Sequence, residues 1–142
     1  EEYESNLLKY GGAFDGIEEM LASLERDGIP YGIVTNKPLR FAEPILINEP
    51  VFKNCKTLIC PDHLDAIKPD PEGILRGCKD LGIHPTECVY VGDHVKDIEA
   101  AMNAGTQVVA CYFGYSLQVH DCSKHILGAN HPNELYELIL QL

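Results

Sequence analysis

Apolar positions along the chain follow two different periodicities. Four short apolar runs that end at polar or glycine-containing turns predict buried β-strands, at 31–35, 57–60, 88–91 and 107–111. Elsewhere apolar residues recur every three or four positions, which is typical of one face of an α-helix. This spacing predicts helices from Phe14 to about Gly28, over 39–47, before Gly82, before Gly105, and from Leu135 to Leu142.

The order of these segments predicts the fold class. Strands that alternate with helices, and that are apolar at nearly every position, indicate a parallel sheet with helices on both faces. We therefore expect an α/β fold of the Rossmann-like, three-layer kind. Functional residues in such sheets follow the carboxyl ends of the strands, which directs attention to Thr35-Asn36, to the turn at Lys68 and to Gly92-Asp93.

The composition of the chain argues against nucleic-acid and membrane partners and bears on the state of its cysteines. The chain has 142 residues, 45% of them hydrophobic, and a net charge of −11. That charge repels nucleic acid and anionic lipid, and no apolar run approaches the roughly 20 residues that a membrane helix needs. The six cysteines have no Cys-x-x-Cys spacing, so we expect buried thiols in a cytoplasmic protein; a zinc site or a disulfide framework is the alternative.

Two carboxylates mark the start of the helix after the third predicted strand. Asp93 and Asp97 are four residues apart, which is about one helical turn. Carboxylate oxygens suit Mg²⁺, which takes few protein ligands together with water and substrate phosphate. The alternative is that Asp93 caps the helix and Asp97 is a solvated surface residue.

Two further segments offer groups that bind anions. Thr35 ends a buried strand and is followed by the backbone N–H groups of Asn36 and Lys37, an arrangement that can hold an anion. Lys68 precedes Pro69 on a stretch that prolines hold extended, and its ammonium could neutralise phosphate. A polar loop and a solvent-facing lysine are the alternatives.

In chain order, these segments resemble the motifs of the haloacid dehalogenase superfamily of phosphohydrolases. The matching stretches are Ile33–Pro38, Lys68–Pro71 and Val91–Ala101, continuing to Gly105. The similarity is greatest to phosphoglycolate phosphatase-like members, and Cys60–His63 and Arg40–Pro44 are similar to the N-acetylmuramic acid 6-phosphate phosphatase branch. The resemblance covers roughly Tyr10 to Leu142.

The resemblance implies a role for each matching residue. Thr35 and the Asn36 backbone would bind the phosphoryl group, and Lys68 would balance its charge. Asp93 would bind Mg²⁺, and Asp97 would hold metal-bound waters or orient Lys68. The implied reaction is attack by an aspartate on the phosphomonoester of a small metabolite, followed by hydrolysis of the aspartyl-phosphate.

The nucleophile that the resemblance implies has no match in the residues before Thr35. The family carries it in an Asp-x-Asp motif at the end of its first, central strand, whereas Asp15 here opens an amphipathic helix and has no second Asp two residues later. We expect Asp15 to be a helix N-cap.

We therefore expect the central strand to be absent from this chain, so that strands 31–35 and 88–91 do not pair directly. Residues 1–12 would be the end of a helical cap domain and its linker, and 13–142 the core domain. A phosphatase fragment is the leading interpretation. A non-catalytic binding protein of the same fold and a hydrolytic dehalogenase are the alternatives, and the oligomeric state is open.

Overall fold

Helices and strands alternate along the chain. The computed structural model describes residues 15–92, 94–111, 127–130 and 134–142, except for the side chains of 15–17. The helices are α1 (Asp15–Arg26), α2 (Leu39–Asn48), α3 (Glu72–Leu81), α4 (Val95–Ala104) and α5 (Leu135–Leu140). The strands are β1 (Ile33–Val34), β2 (Leu58–Ile59), β3 (Val89–Gly92), β4 (Gln107–Cys111) and β5 (Leu127–Ala129). Single 3₁₀ turns cover Pro50–Phe52, Pro61–His63 and Pro85–Glu87.

The strands form two parallel sheets, with the orders β1-β2 and β3-β4-β5. Ile33 lies opposite Leu58 in the first sheet, and Val89 lies opposite Gln107 in the second. Parallel pairing throughout confirms the predicted α/β class. Within the described residues β1 and β3 do not pair with each other, which agrees with the expectation that a strand between them is absent from this chain.

Apolar side chains cover both faces of the larger sheet. One core cluster joins α1 and α5 to β4 and β5, and its buried members are Met20, Leu21, Leu24, Val109, Cys111, Ala129 and Leu135. A second cluster lies on the opposite face, where α3 and α4 contribute Ile74, Cys78, Ala100, Ala101 and Ala104. Successive strand residues point to opposite faces, so Val89 and Val91 pack against the first cluster and Tyr90 against the second. The three-layer arrangement is confirmed.

Small residues bring α4 close to the sheet. Ala100 and Ala101 have no exposed surface, and Ile98 is also buried. Met102 of the same helix is 59% exposed. Alanines, rather than large side chains, therefore form the face of α4 that packs against the core.

Two predictions fall on residues that the structure does not describe. The division into 1–12 and 13–142 stays a prediction, since 1–14 lie outside the described ranges. Helix α1 begins at Asp15, but the capping role of that side chain is likewise untested. No helix in the described part of the chain has the length and apolar character that a membrane crossing requires.

Candidate active site

A buried ion pair joins Lys68 to Asp97. The Lys68 Nζ lies 2.5 Å from Asp97 Oδ1, and the two side chains are only 9% and 10% exposed. The ammonium also lies 3.2 Å from the Val34 carbonyl oxygen and 3.2 Å from the Tyr90 hydroxyl. Because an ammonium carries three N–H donors, these three acceptors match its full donor capacity.

This arrangement places a cation at the carboxyl end of β1. Ile33 donates its N–H to Thr57, just before β2, and Thr35 donates its N–H to Ile59 in β2. The Val34 carbonyl between them therefore points away from β2. Lys68 is bound to that carbonyl. The charge therefore lies beside the peptide that leads into Thr35.

The turn after β1 is held by a hydrogen bond to the Thr35 side chain. Its Oγ1 accepts the N–H of Lys37 at 3.1 Å, the geometry of a side-chain turn. The hydroxyl keeps its proton to donate. Because Thr35, Asn36 and Lys37 all line one cavity, the turn presents a hydroxyl donor and a cationic residue to it.

Asp97 owes its position to the first turn of α4. Its Oδ2 accepts the His94 N–H at 3.1 Å as part of a capping box between His94 and Asp97. The His94 Nδ1 also accepts the Lys96 N–H at 3.0 Å. A Cβ at Gly92 would overlap the Asp97 side chain. Glycine at the end of β3 therefore lets Asp97 approach closely enough to reach Lys68.

A cavity of about 940 Å³ lies between β1 and β3, since residues of both strands line it. Thr35, Asn36, Lys68 and Asp97, which the sequence predicts as site residues, all contribute to its wall. The structure thus brings together the residues predicted at the ends of two different strands. Asp93, the predicted metal ligand, lies outside the described residues.

The pKa of Lys68 reflects two opposing effects. Burial disfavours the charged ammonium and would by itself lower this pKa. The Tyr90 oxygen and the Asp97 carboxylate favour the charged form, and the pKa of Lys68 is raised above its usual value. Lys68 is therefore a cation at neutral pH and can balance the charge of a phosphate group.

The described residues do not form a metal site by themselves. Among them, no group of three or more His, Cys, Asp and Glu side chains is placed to hold an ion. Both oxygens of Asp97 already have partners in the protein, namely Lys68 and the His94 N–H. The predicted Mg²⁺ site rests on Asp93 and stays a prediction.

With the geometry in place, comparison with known proteins decides the family. The sequence model of haloacid dehalogenase-like hydrolases matches residues 1–111, which is most of the chain. The chain belongs to the haloacid dehalogenase-like hydrolase family. The resemblance drawn from the sequence motifs is confirmed, and the matched range includes Thr35, Lys68 and Asp97.

Relatives of this chain include two kinds of bacterial phosphatase. The N-acetylmuramic acid 6-phosphate phosphatase of Pseudomonas aeruginosa is 40% identical over 141 residues, covering 96% of this chain and 62% of that protein. The phosphoglycolate phosphatase of Xylella fastidiosa is 42% identical over 113 residues, covering 80% of this chain and 49% of that protein. The chain therefore spans less than two thirds of the length of either relative.

Solved structures share the fold of this chain. A predicted phosphoglycolate phosphatase from Haemophilus somnus superposes with a TM-score of 0.79 at 26% identity, over 88% of this chain and 56% of that one. A putative β-phosphoglucomutase from Thermotoga maritima superposes with a TM-score of 0.75 at 23% identity, over 89% of this chain and 59% of that one. The second likeness shows the fold alone.

Sequence reasoning missed two residues that the structure places at the site. Tyr90 is predicted only as part of an apolar strand, yet its hydroxyl reaches Lys68. His94 has no role in the sequence interpretation, and the structure makes it the N-cap residue of α4. Only the position of His94, three residues before Asp97, could have signalled its capping role.

Proposed function

We propose that the whole protein hydrolyses small phosphomonoesters, and that this chain provides the phosphoryl-binding part of its active site. One observation carries the proposal: the Lys68 ammonium lies at the carboxyl end of β1, beside Thr35, in the wall of a large cavity. A fixed cation next to a hydroxyl donor is suited to a phosphoryl group. The two kinds of phosphatase relative support the same reaction class.

In this proposal each side chain has a separate task. Thr35 donates its hydroxyl proton to a phosphoryl oxygen, and the Asn36 N–H helps to bind the group. Lys68 balances the negative charge that the phosphoryl group and an attacking carboxylate bring together. Asp97 is a positioning residue, because it acts on the substrate only by holding Lys68.

The nucleophile is proposed to come from a part of the protein outside the described residues. Asp97 is the only carboxylate among the described residues that line the cavity, and Lys68 already engages it. An aspartate supplied from elsewhere would attack phosphorus and break the ester bond, and the leaving oxygen would take up a proton. Water would then release inorganic phosphate and restore the carboxylate.

Mg²⁺ belongs to the same proposal, with Asp93 as the ligand from this chain. In sequence Asp93 directly follows Gly92, the last residue of β3, and Gly92 itself lies against Asp97. A bound Mg²⁺ would polarise the phosphoryl oxygens. Charge balance by Lys68 does not depend on the ion.

The extent of the similarity favours one substrate. The two Pseudomonas N-acetylmuramic acid 6-phosphate phosphatases match 96% and 98% of the chain, whereas the Xylella and Xanthomonas phosphoglycolate phosphatases match 80% and 81%. N-acetylmuramic acid 6-phosphate is therefore the first substrate to test, with phosphoglycolate as the comparison. We place the activity in the cytoplasm, since free thiols, which Cys55, Cys60, Cys78 and Cys88 carry, are typical of a reducing compartment.

Phosphate release by the whole protein tests the proposal. Lys68→Met keeps most of the side-chain volume and removes the charge, so kcat should fall by at least about 100-fold. Lys79→Met is the matched control, because Lys79 is an exposed residue in the last turn of α3, and it should retain normal turnover. Asp93→Asn should abolish the response to added Mg²⁺.

The same assay separates the alternatives. Equal turnover in Lys68→Met and Lys79→Met would show that the phosphoryl site has been misplaced. If the unmodified protein hydrolyses neither phosphomonoester but binds one of them, the non-catalytic binding protein of the same fold is the correct interpretation. Release of halide from 2-haloacids would instead identify a dehalogenase.

A further inference from the structure

The Tyr90 hydroxyl is held between two groups at the site. It lies 3.2 Å from Lys68 Nζ and 3.2 Å from the Val34 carbonyl oxygen. A phenol can accept one hydrogen bond and donate another, so it accepts from the ammonium and donates to the carbonyl. Tyr90 on β3 thereby connects the end of β1 to the cation that the proposed function requires.

The ring of Tyr90 has fewer rotatable bonds than the side chain of Lys68. It packs against the core cluster formed by α3 and α4. Lysine, in contrast, has a flexible four-carbon stem. A rigid acceptor beside a flexible cation determines where that cation can lie.

Asp97 by itself does not fix the ammonium in space. A single ion pair sets one distance and leaves the ammonium free to rotate about its partner. The carbonyl of Val34, the carboxylate of Asp97 and the hydroxyl of Tyr90 lie on three different elements, namely β1, α4 and β3. Three contacts from three directions define a position.

We infer that Tyr90 is a positioning residue, whose hydroxyl holds the Lys68 ammonium at the place where the phosphoryl group is bound. This inference rests on the proposed function, because it gives Tyr90 a role only through Lys68. Lys68 exchanges the Val34 carbonyl for a phosphoryl oxygen when substrate binds. Tyr90 and Asp97 then keep the ammonium in place during the reaction.

Tyr90→Phe in the whole protein removes the hydroxyl and leaves the packed ring. We expect kcat to fall about tenfold with a smaller change in KM, because the interaction matters most as charge develops in the transition state. Tyr31→Phe is the matched control. Its half-buried hydroxyl also donates to a backbone carbonyl, that of Val51, at 3.4 Å, and its removal should leave kcat unchanged.

A double-mutant cycle separates positioning from a general structural effect. If Tyr90 acts through Lys68, Tyr90→Phe should cause no further loss of kcat in the Lys68→Met background. Losses that multiply in the double variant, or equal kcat in Tyr90→Phe and Tyr31→Phe, would overturn the inference. Calorimetric titration with inorganic phosphate is the second measurement: Tyr90→Phe should weaken its binding several-fold and Tyr31→Phe should not.

Failure of the inference can be told apart from failure of the proposed function. If Lys68→Met retains full activity, the proposed function is wrong and Tyr90 has no site to serve. If Lys68→Met loses activity while Tyr90→Phe keeps both normal kcat and normal phosphate binding, only the role of Tyr90 is wrong.

Discussion

Two glycine-to-alanine substitutions should change stability in opposite directions. Gly92 ends β3 against Asp97, and Gly77 lies inside α3 against Val34. At Gly92 the added methyl would overlap the Asp97 Cβ and lie 3.1 Å from its Cγ and Oδ2. At Gly77 the nearest atom would be the Val34 Cγ2 at 3.5 Å, an ordinary contact.

The structure allows the cost at Gly92 to be worked out. Carbon atoms pack at about 3.5–4.0 Å, so Asp97 must move by about 1 Å. Its Cβ is attached directly to the backbone of α4, so a side-chain rotation cannot provide this movement. The shift would stretch the hydrogen bonds that Asp97 accepts from Lys68 and from the His94 N–H, now 2.5 and 3.1 Å. Overpacking in a core costs about 1–3 kcal/mol, and the weakened ion pair adds to that cost.

Gly77→Ala should stabilise the protein by about 0.5–1 kcal/mol, since a glycine inside a helix is unfavourable by that amount relative to alanine. Urea unfolding of the whole protein, followed by far-UV circular dichroism, measures both changes. The two variants should differ in free energy of unfolding by about 2 kcal/mol or more, with equal m-values. Gly92→Ala should also lower phosphatase activity, because it displaces Asp97 from Lys68, whereas Gly77→Ala should not.

A Gly92→Ala variant as stable and as active as the unmodified protein would refute the close approach of β3 to Asp97. The explanation of how Asp97 reaches Lys68 would then fail as well.

Two further predictions concern pH and thermal stability. Burial, together with the neighbouring Cys78, raises the pKa of the Cys88 thiol from 9.0 to about 12, so its contribution to stability is present below pH 9 and is lost as the pH rises towards 12. In thermal unfolding between pH 9 and 10, Cys88→Ala should show a shallower decline of Tm than the unmodified protein, and an equal slope would contradict this. Asp62 Oδ1 accepts the N–H of Leu39 at 2.7 Å, where α2 has no side-chain cap of its own, and this bond lowers the pKa of the Asp62 carboxyl. Asp62→Ala should therefore lower Tm at pH 7, and the difference should vanish as the pH falls through that lowered pKa; a difference that persists in acid would rule out the capping bond as its source.

The sequence predicted that Thr35, Lys68 and Asp97 lie together better than it predicted the lengths of the strands. Thr35 and Lys68 could be placed near each other because carboxyl ends of parallel strands meet at one edge, and the motif resemblance paired Lys68 with Asp97. The strands β1 and β2 have two paired residues each, fewer than their apolar runs suggest. An apolar run reports burial, whereas strand length also depends on which neighbour is available for pairing.

Other features depend on contacts that are distant in sequence. The strand β5 was not predicted, because three residues with a central Gly128 carry no clear alternation and their pairing with β4 makes them a strand. The role of Tyr90 was missed for a similar reason, since Lys68 is 22 residues away. Neither the periodicity of apolar residues nor the spacing of motifs predicts a contact between these two side chains.

The sharing of Asp97 between Lys68 and the His94 N–H links two equilibria. Lys68 and the His94 N–H each hold one oxygen of this carboxylate, so the loss of either contact favours the loss of the other. A phosphoryl ligand that displaces the Val34 carbonyl and keeps Lys68 on Asp97 would therefore stabilise the turn. Hydrogen–deuterium exchange at the His94 amide would then become slower. The exchange rate of this one amide therefore reports ligand binding without an activity assay.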